Sequence, residues 1–506
     1  MFTLLKRSVL VMFPILLAVG LSATLSGCSG GGGGSGGGSD NTPVSTPTPS
    51  ATTTSVVSDG PITRFGSVVL NGIEFDTTQA EIRIEDRVVR EDELRIGMRV
   101  IVEGVRDNNG VARATRVIFR KNVEGLIDRI DVVNNTLVVL GQTVLVDGLT
   151  VLEDRAQLGS IPLTDLVVGQ FVEVSGMVDA NGMIVATRIE RKAGFIAGVT
   201  EVAARGTISR LDTNAGTFVL GALTVNFSTA TVVGTLGNGV FAQVRGAQTT
   251  SGGIVTATRV TAEDQALGGV TGAKVEIEGF VTVVTPSTAF RVNGQAVTTT
   301  VRTVFENGTA VDIVQNARLE VEGQLDANGT LVAEKISFRR RTGGTVHIEA
   351  DVEVVTANTV TLLGLVIRVD VLTQFKDDMG GERGFRFDRI HVRDRLEIRG
   401  FLDAQGNIIV TRLRRRGPAN EIVLRGPVDS VAVTNLSLVV RGIEIRTDGS
   451  TVFKDFSPNR PTAAQFFAAL RPGALVKAKG VLLRGTPVAI RATQVTLEDL
   501  DRDDDL

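Results

Sequence analysis

The chain has 506 residues, enough for several domains, and a formal net charge of −3. This charge balance is not that of a nucleic-acid-binding protein, and we expect no nucleic-acid partner. Trp and Tyr are absent and all aromatic residues are Phe, which argues against stacking surfaces for bases or sugars.

The N-terminus has the parts of an export signal. A positive start at Lys6 and Arg7 precedes a short apolar run, and small residues then lead to Cys28. This order predicts a signal peptide over residues 1–27. The apolar run is short and interrupted, whereas a transmembrane helix needs about 20 apolar residues, so a membrane span is the weaker interpretation.

Residues 25–28, Leu-Ser-Gly-Cys, resemble a bacterial lipobox. The resemblance implies that the Cys28 thiol is diacylglycerylated, that the signal is cut before it, and that the new amine receives an acyl chain such as palmitate. Several acyl chains on one residue anchor a protein stably in a membrane. Because Ser29 rather than Asp follows, we expect the outer membrane, where the organism has one, with the protein periplasmic or surface-exposed. Cys28 is the only cysteine, so an internal disulfide and a Cys nucleophile are excluded.

Residues 28–59 form a predicted tether that begins with the lipidated cysteine. The segment is Gly-rich and then rich in Ser, Thr and Pro, and it has no apolar periodicity. It cannot bury a core, so we expect it to be disordered. A coil of this length reaches about 30 Å on average. A spacer that holds the domains off a lipid surface and a linker without selected length are both compatible with this segment.

One block recurs six times in the remainder of the chain. It contains the pattern Gly-x-x-Val-x-Val-x-Gly, a turn such as Asp179-Ala180-Asn181-Gly182, and a strand with Ala-Thr-Arg. Its central glycines are Gly104, Gly176, Gly246, Gly323, Gly400 and Gly480. Two alternating apolar runs around a turn with Asp and Gly predict a β-hairpin. The turn is similar to a calcium loop, but the further oxygen ligands and the closing Glu of an EF-hand are missing from the sequence.

The first half of each repeat predicts three more strands. A strand with an internal glycine, as at Gly125, comes first and suits a sharp bend at a barrel corner. A second hairpin follows, as in residues 137–144, and then a connector with Leu94 or Leu166. We therefore predict an all-β fold, a tandem array of about six small five-stranded OB-like β-barrels. An open sandwich is the alternative.

The recurring pattern divides the chain into six predicted repeats, and an acidic tail follows them at 499–506. The repeats span 60–121, 122–195, 204–265, 274–342, 343–416 and 417–498. The repeat resembles the bacterial family catalogued as domain of unknown function 5666, which often occurs in tandem in lipoproteins. The resemblance rests on the first-strand glycine and the three motifs of the hairpin block, and repeats 3 and 6 depart from it at the hairpin turn. It implies fold and envelope location but no known activity.

Basic residues cluster where repeats end, and they are the candidate binding residues. The runs that we select as an anion-binding stripe are Arg339, Arg340, Arg341, Arg414, Arg415 and Arg416. Internal neutralisation and simple solvation are the alternatives.

The length of the hairpin turn also predicts three ion pairs across the strands. They join Glu173 to Arg188, Glu320 to Lys335 and Glu397 to Arg412. The basic members of these pairs are therefore expected on the sheet surface rather than in contact with a ligand.

His347 and His391 are the only histidines, and their spacing matches no metal motif. We expect exposed strand histidines, no metal and no cofactor. The sequence contains no nucleophile–base pair or phosphate loop, so we expect no enzyme. The predicted function is that of a membrane-anchored extracytoplasmic structural or interaction lipoprotein with an envelope protein or glycan as candidate partner. Binding of a glycan or other polyanion is the alternative, an enzyme comes third, and the oligomeric state stays open.

Overall fold

Six small β-barrels, numbered 1 to 6 in chain order, are built from the same six strand positions, which we call A to F. The structure is a computed structural model. It describes residues 53–498 except 157–158, 249–252, 286–287, 340–344, 381–383, 404, 457–459, 484 and 486–487.

Barrels 1 and 2 each carry one short strand in addition to the six shared positions. Barrel 1 consists of β1 (Thr53–Pro61), β2 (Val68–Leu70), β3 (Ile73–Asp76), β4 (Glu81–Ile84), β5 (Arg87–Val89), β6 (Arg99–Asp107) and β7 (Ala112–Phe119). Barrel 2 consists of β8 (Val123–Asp131), β9 (Thr136–Val139), β10 (Gln142–Leu145), β11 (Val151–Asp154), β12 (Gly159–Ser160), β13 (Phe171–Val178) and β14 (Ile184–Lys192). The additional strands β5 and β12 pair antiparallel with the D strands β4 and β11.

Barrels 3 and 4 have the six shared strands. Barrel 3 consists of β15 (Glu201–Asp212), β16 (Thr217–Leu220), β17 (Leu223–Asn226), β18 (Thr231–Val233), β19 (Phe241–Ala247) and β20 (Val255–Ala262). Barrel 4 consists of β21 (Lys274–Val284), β22 (Ala289–Val292), β23 (Gln295–Thr298), β24 (Val304–Glu306), β25 (Arg318–Leu325) and β26 (Leu331–Arg339).

In barrel 5, strand A is split in two, whereas barrel 6 has a short helix between strands D and E. Barrel 5 consists of β27 (Val346–Asp351), β28 (Val354–Val355), β29 (Thr359–Leu362), β30 (Leu365–Arg368), β31 (Gln374–Asp377), β32 (Arg395–Leu402) and β33 (Ile408–Arg416). Barrel 6 consists of β34 (Glu421–Ala432), β35 (Ser437–Val440), β36 (Ile443–Arg446), β37 (Val452–Lys454), α1 (Ala463–Ala469), β38 (Leu475–Leu483) and β39 (Ala489–Leu497). The equivalent connectors of four other barrels contain single 3₁₀ turns, at Glu91–Glu93, Leu163–Asp165, Ala310–Asp312 and Phe387–Arg389.

Five of the strands close a ring, as barrel 2 shows. Strand A (β8) pairs antiparallel with B (β9) and E (β13), B pairs with C (β10), and E pairs with F (β14). Strand C then pairs parallel with F, which closes the barrel. The predicted all-β fold of small five-stranded barrels is confirmed. Strand D (β11) is a sixth strand parallel to F, within the segment that we predicted as a connector.

The connector residues that the sequence singled out close the end of each barrel. Leu94 and Leu166 are both buried in the cores of their barrels. In barrel 6, Phe466 and Phe467 of α1 take this role and pack on Phe453. A buried apolar residue at this point covers the open mouth of a small barrel.

The glycines at the centre of the repeated block mark a β-bulge in every barrel. The pairing of strands E and F shifts register next to Gly104, Gly176, Gly246, Gly323, Gly400 and Gly480. A Cβ atom at any of these positions would overlap the carbonyl oxygen of a residue on the facing F strand. Glycine is therefore required by the close approach of two backbones.

The barrels associate in pairs through their A strands. Strand β1 pairs parallel with β21, while β8 pairs antiparallel with β15 and β27 with β34. Barrel 1 therefore joins barrel 4, barrel 2 joins barrel 3, and barrel 5 joins barrel 6, which produces three 13-stranded sheets. The tandem order of the repeats along the chain is not their order in space.

Further contacts join the three pairs. The amide of Phe375 donates to the carbonyl of Thr63 at 2.9 Å, which connects barrels 5 and 1. The amide of Ala180 donates to Asn316 Oδ1 at 2.7 Å, which connects barrels 2 and 4. The described barrels thus belong to one compact unit and are not separate domains joined only by linkers.

The described chain begins inside the segment predicted as linker, because β1 starts at Thr53. The first residues of this strand, Thr53–Ser55, are polar and are its most exposed part, so they show no alternation of apolar and polar residues that would mark a strand. Residues 1–52, with the predicted signal peptide and Cys28, and the tail 499–506 lie outside the described residues. In the part of the chain that the structure describes, no helix has the length and apolar character needed to cross a bilayer.

Candidate functional site

Charged side chains are buried where the barrels meet. Arg205 of barrel 3 places Nη2 2.8 Å from Glu85 Oε2 of barrel 1 and Nε 3.0 Å from Glu263 Oε2. Burial alone would raise the pKa of Glu85, but the hydrogen bonds and charge of Arg205, together with Lys121, lower it to about 2. The pair stays ionised and joins the two barrels.

The predicted pairing of Glu173 with Arg188 is wrong. Arg188 is buried and binds Glu153 at 2.7 Å and Glu190 at 3.0 Å. The turn contains Met183 as a fifth residue, and the bulge at the E-strand glycine adds one more, so Ser175 lies opposite Arg188. Arg188 also donates to the carbonyl of Ile96 in barrel 1 at 3.2 Å, so it lies at an interface and not on an open sheet surface.

The other two predicted pairs have different outcomes for the same reason. Lys335 lies opposite Glu322 and binds it at 3.1 Å, so its predicted pairing with Glu320 is wrong. The ion pair of Arg412 with Glu397 is confirmed, at 2.9 Å. This ion pair joins diagonal neighbours on strands E and F, because the residue directly opposite Arg412 is Arg399. Arg412 is buried, which differs from its expected surface position.

Glu397 is the centre of an arginine cluster on the E and F strands of barrel 5. Its carboxylate lies 2.9 Å from Arg399 Nε and Arg412 Nη2, 3.2 Å from Arg416 Nη1 and 3.6 Å from Arg414 Nη1. Burial would raise its pKa, but the surrounding guanidinium groups, Arg412 and Arg399 foremost, hold the pKa of Glu397 well below its usual range. The cluster therefore carries an excess of positive charge.

The arginines predicted to bind anions lie at two places. Arg339 ends strand F of barrel 4 and is paired with Glu320, while Arg340 and Arg341 lie outside the described residues.

The second run ends strand F of barrel 5. Arg414 binds Asp378 at 2.6 Å, Arg415 pairs with Asp377, and Arg416 binds Glu397. Every described member of the two runs thus has an acidic partner. Two of them, Arg415 and Arg416, also line a cleft.

This cleft has a volume of about 600 Å³ and lies where strands E and F of barrel 5 meet the linker to barrel 6. Its charged lining consists of four arginines and two aspartates, which are Arg393, Arg395, Arg415, Arg416, Asp351 and Asp394. We call it the arginine cleft. Arg395, Arg415 and Arg416 have acidic partners, whereas Arg393 has none among the described residues, so an anion can be attracted to Arg393 at this cleft.

Two of the cleft arginines were not predicted. Arg395 lies in strand E and is buried, while Arg393 lies exposed in the turn that precedes it. A signal for Arg393 was present, because it stands where four other repeats have glycine: Gly97, Gly169, Gly239 and Gly473. Aligning the repeats position by position would have identified it.

The two histidines differ in exposure. The side chain of His391 is 72 % exposed, as expected. His347 is buried at the contact of barrels 5 and 6, because strand A of barrel 5 is covered by β34. Its prediction as an exposed residue is wrong, since the sequence of one strand does not show which barrel covers it.

His347, Glu349 and Glu397 bring potential ligand atoms within 4.8 Å of one another. Imidazole and two carboxylates are a donor set that suits Zn²⁺. The surroundings do not fit a cation, because the Glu397 carboxylate is already held by Arg399 and Arg412, and Arg395 approaches Glu349 at 3.6 Å. We therefore interpret the group as part of the ion network.

Comparison with known proteins identifies the repeat. A protein-family model described as a domain of unknown function, DUF5666, matches residues 56–118, 124–190, 278–337, 349–414 and 425–495. These five matches cover well over half of the chain and correspond to barrels 1, 2, 4, 5 and 6. Barrel 3 has the same six strands without a match. No curated protein matches the chain significantly.

Proposed function

We propose that this chain, which belongs to the DUF5666 family, is a non-enzymatic lipoprotein of the cell envelope whose packed barrels form one rigid structural or interaction module. Cys28 anchors the module to a membrane, and the segment up to about residue 52 holds the barrels away from the lipid. The family description names no activity, so the proposal depends on the features of this chain.

The observation that carries the proposal is the use of charged residues at the contacts between barrels. Arg205, Arg188 and Glu153 are each buried and each bridges two barrels. Lys376 of barrel 5, for example, binds Glu153 of barrel 2 at 2.6 Å. Breaking such a contact leaves a buried charge without its partner, which is strongly unfavourable. A module that cannot separate its barrels presents a fixed surface.

Limited proteolysis of the full-length chain tests the rigid module. We expect one resistant fragment that contains all six barrels and begins near Thr53, because the inter-barrel contacts protect the short linkers. A ladder of one-, two- and three-barrel fragments would contradict the proposal. Mass spectrometry of the fragments distinguishes these results.

Metabolic labelling with an alkyne analogue of palmitate tests the anchor. We expect label and membrane association in the wild-type chain and their loss in Cys28→Ser. Ser29→Ala serves as the matched control and keeps both. Label that persists in Cys28→Ser would contradict the anchor, because the chain has no other thiol. In an organism with two membranes, we expect Ser29→Asp to retain the protein in the inner membrane.

A second candidate function is binding of a glycan or another polyanion, and the arginine cleft is the observation that favours it. Binding driven by such a cleft weakens as salt screens the charges. We expect the full-length chain to be retained on heparin at low ionic strength and released at about 0.5 M salt. Passage of the chain through heparin without delay at low ionic strength would refute this function.

A further inference from the structure

The turn before strand E has a left-handed residue in every barrel. The φ angles are +82° at Gly97, +86° at Gly169, +88° at Gly239, +68° at Asn316, +77° at Arg393 and +86° at Gly473. Glycine adopts this conformation without strain, and Asn tolerates it better than most other residues. Barrel 5 alone of the six places a long charged side chain there. A strained residue of this kind points to a functional constraint.

The Arg393 side chain is exposed and lines the arginine cleft. Within the described ranges, no ion pair or side-chain hydrogen bond of Arg393 is found. Local pairing therefore does not explain why arginine occupies a position that favours glycine. The explanation that fits its place is a ligand in the cleft.

A second observation concerns the neighbouring Arg395, which is 3 % exposed. Its Nη1 lies 3.4 Å from Asp351 Oδ1 and its Nη2 donates to the carbonyl of Glu421, but its Nε–H has no hydrogen-bond partner among the described residues. The nearest carboxylate oxygen, Glu349 Oε1, is 3.6 Å away. A buried donor without a partner is costly. A further acceptor at this end of the cleft would satisfy it.

The charge of the cleft indicates the class of ligand. Its two aspartates are partly engaged, since Asp394 accepts a hydrogen bond from the amide of His391 and Asp351 lies beside Arg395. Outside the lining, Asp377 pairs with Arg415 and Glu397 lies 3.2 Å from Arg416. The charge that has no acidic partner among the described residues is therefore that of Arg393. A phosphate group, which carries a charge of about −1.5 to −2 at pH 7, would supply the missing negative charge. Planar guanidinium groups also match the geometry of phosphate oxygens.

We propose that the arginine cleft binds a phosphate group, either free or carried by a lipid or glycan of the envelope, and that Arg393 is its specificity-determining residue. The proposal rests on the second function above, polyanion binding, and assigns it one site and one chemistry. The phosphate lies against Arg393 and Arg415 at the mouth and accepts from Arg395 at the base.

The test is calorimetric titration of the full-length chain, purified in detergent, with inorganic phosphate and with phosphatidic acid vesicles. Arg393→Gly removes the guanidinium and also relieves the backbone strain. We therefore expect phosphate affinity to fall by about tenfold or more, while the Tm rises by about 1–2 °C. Arg393→Lys should retain part of the affinity, because it keeps the charge.

Arg210→Gly is the matched control, because Arg210 is an exposed arginine at φ +52° in barrel 3, far from the cleft in sequence. It should raise the Tm in the same way and leave phosphate binding unchanged. Equal phosphate affinity in the wild type and in Arg393→Gly would overturn the proposal, as would absence of binding to both probes. Heparin retention without phosphate binding would leave the polyanion function intact and reject the assigned site. Binding to vesicles but not to inorganic phosphate would support the site with a lipid headgroup as its source.

Discussion

Glu276 is the carboxyl whose removal has the most informative consequence for stability. It lies in strand A of barrel 4, opposite Glu322 of strand E and opposite Ser58 of barrel 1. Burial and the charges of Glu322 and Glu320 raise the pKa of Glu276 from 4.5 to about 8. Among the described residues, no cation lies within ion-pair distance of its carboxylate.

The sign of the pH effect follows from the two pKa values. Between pH 4.5 and about 8, the folded chain keeps the Glu276 proton and the unfolded chain releases it. The free energy of unfolding therefore falls as the pH rises through this window. At roughly 1.4 kcal/mol per pKa unit, the full loss would be about 5 kcal/mol. Because the side chain is only partly buried, water screens the charges and we expect about 2 kcal/mol.

Urea unfolding of the full-length chain at pH 5 and pH 9, followed by circular dichroism, measures this loss. Glu276→Gln should match the wild type at pH 5 and exceed it by about 2 kcal/mol at pH 9. Glu201→Gln, at an exposed carboxyl of barrel 3, is the control and should follow the wild type at both values. If Glu276→Gln loses stability between pH 5 and pH 9 as steeply as the wild type, the assignment to Glu276 is refuted.

Two further predictions concern the bulge and the inter-barrel ion pairs. Gly323→Ala should lower the free energy of unfolding by about 2–4 kcal/mol, because the added Cβ would overlap a backbone carbonyl oxygen. Gly329→Ala is the control, since this glycine lies in open space at φ +75°, and it should cost about 1 kcal/mol. Urea titration of the two variants measures the difference. Arg205→Ala should cost about 3 kcal/mol, because the Glu85 carboxylate loses its main cation and keeps Arg245 at 3.1 Å and the side-chain amide of Gln243. Arg83→Ala, at a side chain that is 39 % exposed, should cost less than 1 kcal/mol. Since the folded pKa of Glu85 is about 2, its contribution to the free energy of unfolding should be present above pH 4.5 and disappear between pH 4.5 and 2. This loss should appear in acid titrations of the wild type and be absent from Glu85→Gln. Equal stability of Arg205→Ala and the wild type would refute the role of the pair.

Local features of the barrel could be predicted because they leave a periodic pattern. Alternation in residues such as Val172 and Val174, a turn at Asp179, and a glycine at a constant place define the hairpin in each repeat. Strand D could not be predicted in the same way. It has only three or four residues, as in Val304–Glu306, and its parallel partner is distant in sequence, so no turn signals it.

The candidate site could be predicted in part. The run at Arg414–Arg416 was found from its charge, and two of its residues line the cleft. The register between strands E and F could not be predicted, because the bulge and the fifth turn residue each shift it by one position. Neither shift changes the alternation of apolar and polar residues in the sequence. The burial of His347 depends on β34, which is more than 70 residues away in sequence. Such contacts are properties of the assembled barrels and not of one strand.

The near-neutral charge of the whole chain hides rows of like charge that run across adjacent strands. In barrels 5 and 6, four adjacent strands place basic residues in one row, from Arg399 through His347 and Arg425 to Lys477. In barrel 2 a row two residues earlier on strand E is acidic, with Glu190, Glu173 and Glu124 in register.

Each row is neutralised by charges of the opposite sign. Lys192 lies 2.5 Å from Glu173 and 2.7 Å from Glu124, while Lys477 binds Glu498 at 2.9 Å. Buried rows of one sign disfavour a wrong pairing of the barrels, because like charges would then meet without water. The basic row crosses the contact of barrels 5 and 6 through His347 and Arg425, so it can contribute to the choice of that pair.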